Sequence, residues 1–281
     1  MKPIAWVTGA GGLIGSCLAS SSFDLPWTTR PLDRATLDLT HPQSVEAAFR
    51  RDNPALVIHC AAISKSPACQ ANPDLAHRTN VDATRHLAEL SSQIPFFFLS
   101  TDLVFDGRKG DYTETDSPNP LSKYAETKVA AESFILRNPR HTIIRTSLNG
   151  GRSPTRNRGF NEEMRLQWEQ GKTLHLFIDE FRSPIAAIMT ARAIWELARQ
   201  QASGIFHVAG AEKLSRYQIG LLLAQRHPQL KPLLLPGTLK EYQGPPRSPD
   251  TTLDCSKAQK LLSFPLPRFS EWLACNPSVE F

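Results

Sequence analysis

The stretch Ile4-Ala5-Trp6-Val7-Thr8-Gly9-Ala10-Gly11-Gly12-Leu13-Ile14-Gly15 sets the reading of the whole chain. Ile4 to Thr8 is a short apolar run that predicts a strand, and the residues from about Leu13 predict a helix. Gly9, Gly12 and Gly15 fall at the turn between them and in the helix's first residues. With no side chains there, backbone N–H groups can approach a pyrophosphate, and the helix N-terminus adds partial positive charge. A glycine triplet alone is weak evidence. Between a strand and a helix it predicts a dinucleotide-phosphate cradle built from Gly9, Gly12, Leu13, Ile14 and Gly15.

Working outward, the pattern repeats. Trp27 to Arg30 reads as a second strand, Ser44 to Arg51 as a helix, and Ala55 to Cys60 as a strand buried on both faces. Asp74 to Ser92 predicts a helix, Phe96 to Ser100 a strand, Leu121 to Leu136 a helix, and Thr142 to Arg145 a strand. Alternation of this kind predicts an α/β fold with a doubly wound parallel sheet. After Gly150 the character changes. An arginine-rich loop precedes a helix near Asn161 to Gln170, a strand at Thr173 to Ile178 and a helix at Ala186 to Gln201. Gly204 to Val208 is expected to return as a last sheet strand. The expected division is a dinucleotide-binding domain over 1–150, rejoined at about 185–210, and a smaller, loop-rich substrate lobe over the rest of 151–281.

Composition removes several function classes. The 281 residues are 41% hydrophobic and 21% charged, the profile of a soluble globular protein. No apolar run approaches the length of a bilayer span, and glycines interrupt the N-terminal run too early for a signal peptide. Five isolated cysteines without a C-x-x-C pair argue against a disulfide framework and a zinc knuckle, so a reducing cytoplasm and no metal are expected. The net charge of +5 suits a phosphate-bearing small molecule. A nucleic-acid surface is not expected, because the densest basic stretch, Arg152 to Arg158, has no aromatic platform beside it. A homodimer is compatible with all of this.

Tyr124 and Lys128 stand four residues apart on one predicted helix, so they share a face. A phenol with an ordinary pKa near 10 needs help to move protons at neutrality, and a nearby ammonium favours its ionised form. Upstream, the strand ending in Phe98-Leu99-Ser100-Thr101-Asp102 presents Ser100 or Thr101 at the sheet's C-terminal edge, where doubly wound folds bind ligands.

Together, the glycine turn, the Ser/Thr after a later strand and Y-x-x-x-K on the following helix resemble the extended short-chain dehydrogenase/reductases. His59-Cys60-Ala61-Ala62 is similar to that family's strand-four motif, and Asn80 to Thr84 to the helix after it. Ser100 to Gly107, Asn119 to Lys128 and Arg247 to Asp254 are similar to the dTDP-4-dehydrorhamnose reductase branch; the regulatory beta subunit of methionine adenosyltransferase shares these features. The resemblance implies reduction of a nucleotide sugar's keto group. It gives Thr101, Tyr124 and Lys128 catalytic roles, with Tyr124 and Lys128 also touching the cofactor beside Ala61 and Ala62, and Thr101 and Asp102 meeting substrate. Dehydratases of the superfamily usually carry Asp-Glu after the Thr; here Asp102 is followed by Leu103, which disfavours dehydration and leaves epimerisation open. Leu148-Asn149-Gly150 lacks the tyrosine often found before that glycine.

Two further expectations concern charge. NAD enzymes of this fold place Asp or Glu at the end of strand two, whereas Arg30 stands near that position here; NADP(H) is expected over NAD(H), with Asp33 the competing candidate if the strand runs longer. A nucleotide sugar's diphosphate needs cations, for which Arg182 and Arg247 are the candidates; the Arg152 to Arg158 loop reads as surface charge.

Overall fold

The structure, a computed structural model, describes residues 2–20 and 24–281. The first half runs β1 (Ile4–Thr8), α1 (Leu13–Ser20), β2 (Thr28–Leu32), α2 (Pro42–Asp52), β3 (Leu56–His59), α3 (Ser66–Ala71), α4 (Pro73–His77), α5 (Ala83–Leu90), β4 (Phe96–Thr101), α6 (Lys123–Ile135) and β5 (Thr142–Thr146). It continues through β6 (Asn149–Gly150), α7 (Phe160–Glu169), β7 (Leu174–Phe177), β8 (Phe181–Arg182), β9 (Ile185–Ala186), α8 (Ala187–Arg199) and β10 (Gly204–Val208). The last elements are β11 (Leu214–Ser215), α9 (Arg216–Arg226), β12 (Leu234–Gly237), α10 (Ser256–Gln259) and α11 (Phe269–Cys275).

Six parallel strands form the central sheet in the order β10-β5-β4-β3-β1-β2. Its inner strands are buried on both faces and mainly apolar toward their N-terminal halves. Alternate residues serve opposite layers, as a period of two requires. Val7, Ile58, Phe97 and Ile144 pack with Leu18 of α1 and Ile194 and Trp195 of α8. Trp6, Val57, Phe98 and Ile143 pack on the other side with Val45 of α2, Leu87 of α5 and Ile135 of α6. A separate core joins Phe160, Met164 and Trp168 of α7 to Leu174, Ile219, Leu223, Phe269 and Trp272. No helix among the described residues is long and apolar enough to cross a membrane.

The chain runs from β1 outward to β2, then returns to the other side of β1 to make β3. This reversal opens a crevice at the strands' C-terminal ends, the place where such sheets bind ligands. Three details differ from the sequence expectations. His59-Cys60-Ala61-Ala62, similar to the family's strand-four motif, ends the third strand of this sheet's chain order, and Ser100-Thr101 ends the fourth. The helix expected over Asp74 to Ser92 contains a π-helical turn at Arg78–Asp82. In the loop-rich C-terminal part, α9 is an eleven-residue helix with a Ser215/Gln218 capping box.

Candidate active site

The glycine turn is built for close approach. Gly9 has φ +69, and a Cβ there would lie 2.7 Å from the backbone nitrogen of Ala61, beside the end of β3. A Cβ on Gly15 would come within 2.2 Å of the Gly9 carbonyl oxygen. The turn closes with the Gly12 N–H donating to that same carbonyl at 2.8 Å. Any side chain at Gly9 or Gly15 would therefore push the first helix off the strand ends, so these residues fit a dinucleotide's pyrophosphate. Leu13 is buried and faces the 151–159 loop, while Ile14 packs on the core beneath. Ala61 and Ala62 follow β3 and border the same crevice. Asn80, in the π-helical turn, holds this border: its side chain bonds both the N–H and the carbonyl of Ile63 and donates to Thr127 of α6.

Across the crevice, Ser122 caps α6 by accepting from the Ala125 N–H. This start places Tyr124 and Lys128 on the helix face that meets the end of β4. The Thr101 side chain faces the Tyr124 hydroxyl closely enough to favour its ionised form. Ser100 points to the other side and donates to Glu132 at 2.5 Å, so of the two hydroxyls it is Thr101 that faces the tyrosine. Burial pushes the Tyr124 phenol well above its ordinary pKa; the charge of Asp102 adds to this, and the Thr101 side chain opposes it. The ammonium was expected to draw the phenol down. In this site desolvation wins, and the phenol holds its proton. Burial pulls Lys128 down to about 8, against the charge of Glu132. Its Nζ lies 4.0 Å from the centroid of the Phe98 ring.

Asp102 ties the far wall together. Its carboxylate accepts from Thr101 at 3.1 Å, Ser147 at 2.7 Å and Thr251 at 2.9 Å, and Arg182 lies 3.8 Å away. Thr251 belongs to the 247–254 segment, which lies between β8 and the loop after β4. Arg182 and Arg247 converge on buried Glu180: Arg182 donates to it at 2.9 Å, and Arg247 donates at 2.7 and 2.9 Å. Burial works against the Glu180 charge, yet the Arg247 hydrogen bonds and the charges of Arg182, Arg216 and Arg247 hold its carboxyl below the usual range. In the 152–158 loop, Arg152 and Arg156 pair with Glu280 instead.

Arg30 is placed differently from expectation. It sits inside β2 rather than at its end, and its guanidinium lies 3.6 Å from Asp52 at the end of α2. The strand runs to Leu32, so Asp33 comes next and lies against the glycine turn, 3.7 Å from where a Gly11 Cβ would be. Its carboxylate is held by the Thr36 N–H and hydroxyl. Sequence reasoning gave no role to Ser147, Thr251, Glu180 or Arg216. Arg216 at least carried a signal, the S-x-x-Q start of its helix.

A family model described as "RmlD substrate binding domain" matches residues 4–275. A relative described as a probable low-salt glycan biosynthesis reductase, from Haloferax volcanii, is 32% identical over 77% of each chain. The dTDP-4-dehydrorhamnose reductase of Sinorhizobium fredii is 29% identical over 94% of this chain and 93% of its own. Methionine adenosyltransferase 2 subunit beta of Xenopus laevis is 27% identical over 92% of this chain and 82% of its own. The crystal structure of dTDP-4-dehydrorhamnose reductase from Bacillus anthracis in complex with NADP superposes with a TM-score of 0.90 over 98% of each chain, at 24% identity.

Proposed function

Because the chain belongs to the family of the RmlD substrate binding domain, we propose that it is an NAD(P)H-dependent reductase of the keto group of a nucleotide sugar, in the manner of the dTDP-4-dehydrorhamnose reductases. The observation that carries this reading is the meeting of Thr101, Tyr124 and Lys128 where the end of β4 faces the start of α6, across one crevice from the glycine turn. When bound, the reduced nicotinamide supplies the hydride. Thr101 and Tyr124 hold the carbonyl oxygen from one side. Tyr124, kept protonated by burial, gives up its proton as charge develops on that oxygen. Lys128 donates to the ribose and keeps a positive charge near the phenol. Asp102, followed by Leu103, is saturated by Thr101, Ser147 and Thr251. With no second carboxylate after it, reduction is favoured over dehydration. A recess of about 220 Å3 lined by Phe160, Met164, Gln167, Leu174 and His175 receives the nucleoside end. Consumption of reduced nicotinamide by the purified chain with a nucleotide-4-ketosugar tests the proposal; the beta-subunit alternative expects cofactor binding without turnover.

Lys128 makes cofactor binding depend on pH. Its pKa is lowered from 10.5 to about 8, so the ammonium is present below that value and lost as pH rises through it. The dissociation constant for reduced cofactor should therefore grow between about pH 7 and pH 9.5, and Lys128→Met should flatten the dependence. Fluorescence titration at a series of pH values checks this; a flat wild-type profile counts against it.

With Arg30 engaged by Asp52, the choice between cofactors falls to Asp33, beside the turn, and to its neighbour Arg34. A carboxylate there accepts from a ribose 2′-hydroxyl and repels a 2′-phosphate. Asp33→Ser should move the kcat/KM ratio toward NADPH by about tenfold, the scale of one hydrogen bond to a charged group. Steady-state rates with both cofactors decide it, and an unchanged ratio would remove Asp33 from the site.

A further inference from the structure

The arginine cluster at the recess contains one guanidinium more than its carboxylates can pair. Asp102 and Glu180 face Arg182, Arg216 and Arg247. Glu180 spends both oxygens on Arg182 and Arg247, and Asp102 is taken up by three hydroxyls and Arg182. Among the described residues, the Arg216 side chain has no hydrogen bond or ion pair. A guanidinium largely withdrawn from water whose nearby carboxylates are already spent on other partners is costly, so a site that keeps one is shaped for an anion. Burial brings Arg216 down to about 10, which still leaves it charged at neutrality.

Its place in the fold is as specific as its charge. Arg216 opens α9 directly after β11, which pairs with β8 (Phe181↔Ser215), and its backbone N–H donates to the Glu180 carbonyl at 2.9 Å. The same residue lines the recess between α7, β7 and α9. It thus stands between the recess and the Glu180–Arg182–Asp102 chain that leads to Thr101. A nucleotide sugar lying with its base in the recess and its carbonyl at Thr101 has its diphosphate between these two ends. We propose that Arg216 is the cation that grips this diphosphate, and that Glu180 holds Arg247 alongside it as the second contact. Arg247 is fixed edge-on by Glu180 and rests over Phe177 and Tyr242, with 35% of its side chain exposed. This assignment rests on the nucleotide-sugar reading above.

Calorimetric titration with dTDP, with UDP and GDP run alongside, tests it on wild type, Arg216→Gln and Arg216→Lys. Arg216→Gln should weaken nucleoside diphosphate binding by about tenfold to a hundredfold, the loss of hydrogen bonds to a charged group. Arg216→Lys keeps the charge without the fork and should recover part of the loss. Thymidine, which has no phosphate, should bind both proteins alike, and an unchanged NADPH affinity shows that the variant is folded. Wild-type dTDP affinity in Arg216→Gln overturns the assignment of Arg216 and leaves the reductase reading standing. A wild-type chain that binds no nucleoside diphosphate overturns both.

Discussion

Tyr124→Phe loses at least about a hundredfold in turnover while binding NADPH and NADH as the wild type does, the low end for removing a positioned general acid. The substitution keeps the ring, which packs with Cys69 and Ala76, and removes only the hydroxyl that faces Thr101. The loss should fall on kcat more than on KM, because the proton is given up only as charge develops on the carbonyl oxygen. Thr101 stays in place, capping its own turn by accepting from the Leu103 N–H, and supplies the residual rate. Steady-state kinetics with a matched cofactor titration separate the two effects. A variant with wild-type kcat would exclude Tyr124 as the acid.

The second large effect is on stability. Glu132 and Arg145 are both buried and meet through two hydrogen bonds, at 3.1 and 2.7 Å, while Ser100 donates to the same carboxylate at 2.5 Å. This pair joins α6, β4 and β5 directly behind the catalytic residues. Removing one partner strands the other's charge in a dry interior, so Glu132→Ala should cost about 3–5 kcal/mol. The Arg145 guanidinium would then have no carboxylate, and one of its nitrogens, Nη1, already lacks a partner. Taking out both charges together, as Glu132→Met with Arg145→Met, should cost less than the two single changes added, because no charge is left behind. Urea unfolding of the single and double variants measures this. A Glu132→Ala loss below about 1 kcal/mol would mean that water reaches the pair and screens it.

The legible parts of the sequence were those where burial dictates composition. Leu56 to His59 and Phe96 to Thr101 are covered on both faces and announce themselves by the apolar runs Leu56 to Ile58 and Phe96 to Leu99; Thr142 to Thr146 shows itself by its β-branched residues. The first strand and its glycine turn were equally plain. β2 is an edge strand in which only Leu32 is buried, so its sequence does not mark where it stops. That two-residue difference puts Arg30 inside the strand and Asp33 directly after it. α9 buries only Ile219, Gly220 and Leu223, which leaves little helical periodicity to detect.

The candidate catalytic groups could be picked out in the sequence because Tyr124 and Lys128 lie on one helix. The arginine cluster could not. Glu180 meets Arg247 across 67 positions of chain, and Thr251 meets Asp102 across 149. The elements that bring them together, β8 and β11, are two residues long and carry no pattern of their own. Glu180, Arg182 and Arg247 look like ordinary surface charge until tertiary packing pairs them.

The most direct test of the central claim mixes the purified chain with dTDP-4-dehydrorhamnose and NADPH or NADH deuterated at the transferring carbon. Reduced nicotinamide should be consumed mole for mole with the sugar, and deuterium should appear on the former keto carbon of the product. Saturable cofactor binding with no deuterium transfer to this or any other nucleotide-4-ketosugar would contradict it.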